Sequence, residues 1–197
     1  MAIGGSAGSA DASQHKSHSS IYVAFIPWVL FSVITRRYEY EAAAIIALVA
    51  AVAISLPSLR VGRPKLLELG AIIAFVGFTI VGIDASAATT DWLARYARAI
   101  SAGVLALIAF GSLATTPFTE QYARESVPRQ FWSSPEFKAI NRRITTIWGV
   151  VFLLMIPSHI LAGAIDTHRA ETIFNWVVPI LLVGFAVKQT ARIADAT

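Results

Sequence analysis

Segment 116–143, the longest polar stretch between apolar runs, contains the side chains best suited to hold another molecule. Its aromatic and cationic residues lie close together in the sequence: Phe118, Tyr122, Arg124, Arg129 and Trp132. Large aromatic side chains are unfavourable in water, so they must meet lipid, the helix bundle or a partner. We predict that these five residues form a binding surface for a partner protein.

Three polar residues interrupt the apolar runs and could act on protons or a solute: Glu68, His159 and Asn175. A polar side chain inside a membrane is a candidate functional site because its burial in lipid is unfavourable. For Glu68 the alternative is structural, since Lys65 lies one helical turn away and could pair with it at the interface. His159 follows Pro157, which frees a backbone carbonyl for a hydrogen bond.

No sequence pattern indicates catalysis, a bound metal or a cofactor. The chain has no cysteine, no H-x-x-x-H pair and no phosphate-binding glycine loop. Several polar residues could bind zinc or relay protons together with His159, but they lack close spacing, and loop polarity explains them: Asp84, Asp91, Asp166, His168 and Glu171. We therefore predict a protein that is not an enzyme and that holds no metal or cofactor.

These residues belong to a chain that is too apolar for a typical soluble domain. Of its 197 residues, 56% are hydrophobic and 14% are charged, whereas soluble domains are about 25% charged. We predict an all-α fold, a polytopic integral membrane helix bundle with five or six transmembrane helices. The net charge of +4 suits the loops of a membrane protein, and acidic residues are interleaved in segment 116–143, so we predict no nucleic-acid partner.

Six apolar runs divide the chain into three predicted parts. A disordered tail over residues 1–20 precedes a transmembrane domain over residues 21–187, and a short tail over residues 188–197 follows. The first run, residues 21–35, rises only about 22 Å as a helix, which is short for a hydrocarbon core of about 30 Å. Whether this run fully crosses the membrane is left open.

Small residues at helical spacing predict where two of the helices pack. The second apolar run has a small residue every four positions, and the third run has a similar face. Small residues let two helices approach closely in lipid. We expect the two faces to meet through Ala47, Ala51, Gly70, Ala74 and Gly77.

Segment 116–143 predicts two helices of its own. The first is a short amphipathic helix over residues 117–125, capped by Thr116 and lying on the membrane surface. The second begins at Pro135, with Ser134 as its cap, because proline suits the first helical position. Nothing breaks that second helix before Pro157, so we expect it to continue unbroken into the membrane.

The distribution of Lys and Arg predicts the orientation. If all six runs cross, most of these residues fall on one side: the N-terminal tail, the turn over residues 60–65, segment 116–143 and the C-terminal tail. Positive loops favour the cytoplasm. We predict a multi-pass protein of the cell membrane with segment 116–143 and the N-terminus in the cytoplasm. Arg36 and Arg37 lie on the other side and do not fit this rule.

Two motifs within this layout resemble those of a known family. One is Phe25-Ile26-Pro27-Trp28-x-Leu30-Phe31, and the other leads from Phe137-Lys138-Ala139-Ile140-Asn141 to Ile147-Trp148-Gly149-Val150-Val151-Phe152. With the closely spaced apolar runs, they resemble the bacterial intracellular septation protein A family of small polytopic inner-membrane proteins. The resemblance covers the layout of about residues 21–187. It implies a role in cell division and envelope synthesis and supplies no catalytic residues.

Two functions of different classes remain open. The first is a non-enzymatic scaffold in cell-envelope maintenance or cell division, whose partners are the lipid bilayer and other envelope or division membrane proteins. The alternative is a small-solute or proton-coupled transporter or channel that uses Glu68, His159 and Asn175. The two differ in whether those three residues face a common water-filled cavity. A homo-oligomer is compatible with either function.

Overall fold

The protein is a bundle of helices that pack side by side. The computed structural model describes residues 21–35 and 39–195. Within these residues the helices are α1 (Ile21–Ile34), α2 (Tyr40–Arg60), α3 (Leu66–Asp84), α4 (Ala87–Ser112), α5 (Phe118–Ala123), α6 (Pro135–Ile165) and α7 (His168–Asp195). A 3-10 turn over Arg129–Phe131 separates α5 from α6. The tail predicted over residues 1–20 lies outside the described residues.

Five of these helices, α2, α3, α4, α6 and α7, are long and apolar enough to cross a membrane. Their mean hydropathy lies between 1.5 and 2.4. The predicted all-α membrane bundle is therefore confirmed. The α1 helix is shorter, and α7 extends through Asp195, so most of the predicted C-terminal tail is helical.

The long helix α6 begins where the sequence predicts. The Ser134 hydroxyl accepts a hydrogen bond from the Phe137 backbone N–H at 3.2 Å, and Pro135 occupies the first turn. The helix then runs unbroken past Pro157 to Ile165. Asp166 ends it in the left-handed region at φ 50°, a conformation that Asp and Asn tolerate better than most side chains.

An aromatic cluster holds α1 against α2 and α3. The Phe31 ring stacks on Phe78 with centroids 5.1 Å apart, and Trp28 lies 4.9 Å from Phe75. Tyr40 at the start of α2 contacts Phe31 edge-on at 5.8 Å. Such ring pairs contribute about 0.5–1.5 kcal/mol each beyond the area that they bury. The short helix α1 is thus a packed part of the bundle.

The predicted contact between α2 and α3 exists, but the residues that form it on α3 differ. The small face of α2 is buried, including Ala47 and Ala51. On α3 the buried face carries Leu67, Ala71, Phe75 and Phe78. The small residues of α2 therefore face a helix whose buried surface is mainly large side chains.

Gly70 and Gly77 do not form the predicted contact with α2. A Cβ atom at Gly70 would meet Ile108 of α4, while one at Gly77 would have nothing within 4 Å. The expectation for Gly77 was wrong, because spacing identifies a small face without identifying the neighbour that it meets. Ala74 is half-buried.

The short helix α5 buries its aromatic side chains in the bundle, and its predicted position on the membrane surface stays a prediction. Its Phe118 N–H donates to the Ser112 hydroxyl at 3.0 Å, which replaces the predicted cap at Thr116. The Thr119 hydroxyl contacts that of Thr145 on α6 at 2.7 Å and donates to the Asn141 carbonyl at 3.0 Å. These buried polar contacts fix α5 across the ends of α4 and α6.

Candidate binding site

An open cleft of about 1070 Å³ lies at the end of the bundle formed by the α2–α3 turn and segment 116–143. We call this the basic end. The cleft runs between the α2–α3 turn on one side and α5 with the following 3-10 turn on the other. Apolar side chains such as Val23 and Ile54 form one part of its wall, and Arg63 and Arg129 contribute to another.

Lys65 joins the two sides of the cleft. Its ammonium lies 2.7 Å from the Glu125 carboxylate and 3.8 Å from that of Glu68, and it sits 4.2 Å from the centroid of the Tyr122 ring. The Ser58 hydroxyl donates a further hydrogen bond to Glu68. The predicted pairing of Glu68 with Lys65 is therefore present, and Glu68 has a structural role here.

A hydrogen bond and a raised pKa accompany this charge cluster. The Gln121 side-chain oxygen accepts a hydrogen bond from the Leu66 N–H at 2.8 Å, so α5 also caps the start of α3. Burial raises the pKa of the Tyr122 hydroxyl above its usual range, and the negative charges of Glu68 and Glu125 raise it further. Tyr122 therefore stays a neutral phenol at physiological pH.

A second ion pair fixes α5 and the following turn. Arg124 donates to the Glu120 carboxylate at 2.6 and 3.2 Å. Its guanidinium also lies 5.1 Å from the centroid of the Trp132 ring, and that of Arg129 lies 5.7 Å from it. The Trp132 indole donates to the Val127 carbonyl at 2.8 Å, which holds the ring in place. Aromatic faces attract such cations.

The five predicted binding residues therefore divide into two groups. Phe118 and Tyr122 are only 1% and 2% exposed, so they cannot contact a partner while α5 is docked. Of the three environments expected for them, which were lipid, the helix bundle and a partner, they contact the helix bundle. Arg124, Arg129 and Trp132 line the cleft together.

Two residues at the basic end were missing from the predicted binding surface. Arg63 lines the same cleft from the α2–α3 turn. Phe131 is 49% exposed although it is a large apolar side chain. No sequence pattern predicts that Phe131 is exposed. The sequence identifies Arg63 only as one of several basic residues in the turn over residues 60–65.

His159 and Asn175 lie together at the opposite end of the bundle. His159 Nδ1 and Asn175 Oδ1 are 2.7 Å apart, and the neighbouring Ser158 hydroxyl donates to the Phe174 carbonyl at 2.6 Å. Asn175 and Phe174 belong to a π turn, Ile173–Val177, near the start of α7. These bonds hold α6 to α7 where the regular hydrogen-bond pattern of α7 is interrupted.

A smaller cavity of about 360 Å³ adjoins Asn175. It also contains Arg98, which is 6% exposed, donates to the Ser32 carbonyl at 2.7 Å and lies 3.7 Å from the Glu171 carboxylate. The described residues contain no group of three His, Asp or Glu side chains placed to hold a metal ion. Arg98 thus ties α1 to α4 and α7.

Glu68 does not share a cavity with His159 and Asn175 in the described part of the chain. Glu68 lines the cleft at the basic end, while Asn175 lines the small cavity at the other. Glu68 lies in the first turn of α3, a helix of 19 residues that spans roughly 28 Å. The three residues therefore do not face the common cavity that a transporter or channel would need.

Comparison of the chain with protein-family models, curated proteins and solved structures finds no match. The fold itself defines the class. This is an all-helical multi-pass membrane protein with a polar segment folded over one end of its bundle.

Proposed function

We propose that the protein is a non-enzymatic scaffold of the cell envelope. In this proposal it presents the turn around Phe131 to another membrane protein of the envelope or cell-division machinery. The resemblance in layout to the bacterial intracellular septation protein A family supports the choice of machinery. The orientation that places the basic end in the cytoplasm follows from the positive-inside rule and belongs to the same proposal.

The single observation that carries this proposal is the exposed aromatic ring of Phe131, whose neighbours in the chain are held in place by hydrogen bonds. None of the residues in the turn Arg129–Phe131 is buried. The residues on both sides of it are fixed, since Trp132 is bonded to Val127 and Ser134 caps α6. Binding to a pre-ordered aromatic side chain loses little conformational entropy, so such residues make effective contact points.

The placement of the polar residues favours a scaffold over a transporter. A transport site needs polar groups that converge on one cavity near the middle of the membrane. Here Glu68 pairs with Lys65 at one end, and His159 pairs with Asn175 at the other. Ser58 of α2 donates to Glu68 and Glu125 pairs with Lys65, while the second pair joins α6 to α7, so both pairs are explained by contacts that hold the bundle together.

Complementation of a strain that lacks the protein tests this proposal. The wild-type chain should restore normal cell length and septum formation, while Phe131→Ser should fail although it reaches the membrane in normal amounts. Loss of a central aromatic contact weakens binding by about 2 kcal/mol or more, roughly 30-fold. Trp92→Ser is the matched control, because Trp92 is also an exposed aromatic residue but lies at the opposite end.

A photo-crosslinking residue gives the molecular readout of the same experiment. Placed at position 131, it should yield a discrete adduct that mass spectrometry identifies as an envelope or division protein. Placed at position 92, it should not. Full complementation by Phe131→Ser, or a solute-uptake defect with normal division in the deletion strain, would contradict the scaffold.

A further inference from the structure

The cleft at the basic end changes from apolar to cationic along its length. Val23 of α1 and Ile54 of α2 line it from the apolar parts of their helices. Ile54 precedes the end of α2 at Arg60 by nearly two turns, and Arg63 lies just beyond that end. This order matches an amphiphile at a membrane surface, whose chain lies in the apolar layer and whose headgroup lies outside it.

Two of the cations that line the cleft are already neutralised. Lys65 pairs with Glu125 and Glu68, and Arg124 pairs with Glu120. The other two cations of the cleft are Arg63 and Arg129.

Within residues 21–35 and 39–195, neither Arg63 nor Arg129 has a carboxylate within 4 Å, and both are exposed on the cleft. Arg129 is directed by the face of Trp132, which lies beneath its guanidinium. A guanidinium offers paired N–H groups that match the oxygens of a phosphate, so two such groups on one cleft favour a phosphate ligand.

The size of the cleft indicates a ligand larger than phosphate itself. Its volume of about 1070 Å³ slightly exceeds the range of roughly 300–1000 Å³ that is typical of pockets for drug-sized molecules. Inorganic phosphate would leave the apolar part of the wall, formed by Val23 and Ile54, without contacts. An amphiphile would use both parts.

We propose that this cleft binds the phosphate headgroup of an anionic membrane amphiphile. Arg63 and Arg129 contact the phosphate, and Val23 and Ile54 contact the first part of its hydrocarbon chain. The site is separate from the partner contact at Phe131 and does not depend on the scaffold function. It is a defined pocket for one lipid molecule, distinct from general attraction between a basic surface and an anionic membrane.

Titration of the purified protein in detergent micelles tests the site. The probe is a short-chain phosphatidylglycerol, and the readout is the apparent Kd from the lipid-dependent rise in unfolding temperature. The Arg63→Gln/Arg129→Gln variant should bind it about tenfold or more weakly, because it loses two charge-assisted contacts. The Lys138→Gln/Arg143→Gln variant removes the same charge from exposed positions on α6 outside the cleft, and it should bind within about twofold of wild type.

Further arms identify the source of the phosphate. Phosphatidylcholine with the same chains and inorganic phosphate alone should each bind at least about tenfold more weakly than phosphatidylglycerol. Equal protection by inorganic phosphate would overturn the amphiphile, and equal weakening in the Lys138→Gln/Arg143→Gln variant would reduce the effect to surface charge.

A second variant guards against misfolding of the first. Ile54→Trp fills the apolar part of the cleft and keeps both arginines, so it should also weaken phosphatidylglycerol binding by about tenfold. Unchanged binding in this variant would contradict the proposed position of the chain. Both cleft variants should unfold at the wild-type temperature when no lipid is added.

Discussion

Replacement of Arg124 by methionine should lower the free energy of unfolding by about 3 kcal/mol. Glu120 is only 3% exposed, and its carboxylate accepts both hydrogen bonds from Arg124. Methionine keeps most of the side-chain volume but leaves that carboxylate, whose side chain is only 4% exposed, without its cation. A buried charge without a partner is among the few single changes that cost several kcal/mol. Denaturant unfolding in detergent micelles measures the loss.

The matched variants separate charge from shape at this pair. Glu120→Gln keeps the shape and removes the buried charge, so it should cost about 1 kcal/mol. The double variant, Glu120→Gln with Arg124→Met, should regain most of the stability that Arg124→Met alone removes. Comparison of the double variant with the two single variants gives the coupling energy between the two residues. If Arg124→Met unfolds within about 0.5 kcal/mol of wild type, Glu120 is hydrated and α5 is not docked as described.

Replacement of Gly163 by leucine should also destabilise the protein by about 3 kcal/mol. A Cβ atom at this position would lie 2.9 Å from the Tyr96 ring and 3.2 Å from the Arg95 carbonyl oxygen. The ring can turn aside, but the carbonyl belongs to the backbone of α4 and cannot. The two helices would have to separate along one of the most closely packed contacts in the bundle.

Gly184→Leu is the control for this change. Gly184 lies on α7 with nothing within 4 Å of a Cβ atom, so leucine there should change stability by less than about 1 kcal/mol. The same unfolding assay in micelles compares the two variants. Equal stability of both would mean that α4 and α6 do not approach each other at Gly163.

Elements with local signals are the ones that the sequence predicts. The start of α6 follows from Ser134 and Pro135, whose capping and steric effects act within one turn. The buried small face of α2 follows from Ala and Ser residues that recur every four positions. Both signals depend on the chain's own helix geometry, so they need no knowledge of the neighbouring helices.

The position of α5 depends on residues that are distant in the sequence. Its aromatic residues could have met lipid, the bundle or a partner, and all three suit an amphipathic helix. Two contacts fix α5 against the bundle: Thr119 contacts Thr145 of α6, and Lys65 of the α2–α3 turn pairs with Glu125 just after α5. No pattern within α5 contains these partners.

The candidate cleft illustrates the same limit. Arg63 and Arg129 lie on separate loops, and contacts distant in the sequence, such as the hydrogen bond from Leu66 to Gln121, bring both loops to one cleft. Arg98 is a parallel case at the opposite end, since its hydrogen-bond acceptor belongs to a different helix. It is buried and donates to the Ser32 carbonyl of α1.

The proposed scaffold requires segment 116–143 to form a folded cap in the cytoplasm with Phe131 exposed. Cysteine labelling tests it directly, because the chain has no native cysteine. Phe131→Cys marks the basic end, and Ala88→Cys marks an exposed position at the opposite end.

A membrane-impermeant maleimide is added to intact cells and, separately, to permeabilised cells. We expect Ala88→Cys to be labelled in both, and Phe131→Cys to be labelled only after permeabilisation. Labelling of Phe131→Cys in intact cells would place the cap outside the cytoplasm and contradict the scaffold. Failure to label it even after permeabilisation would show that position 131 is buried.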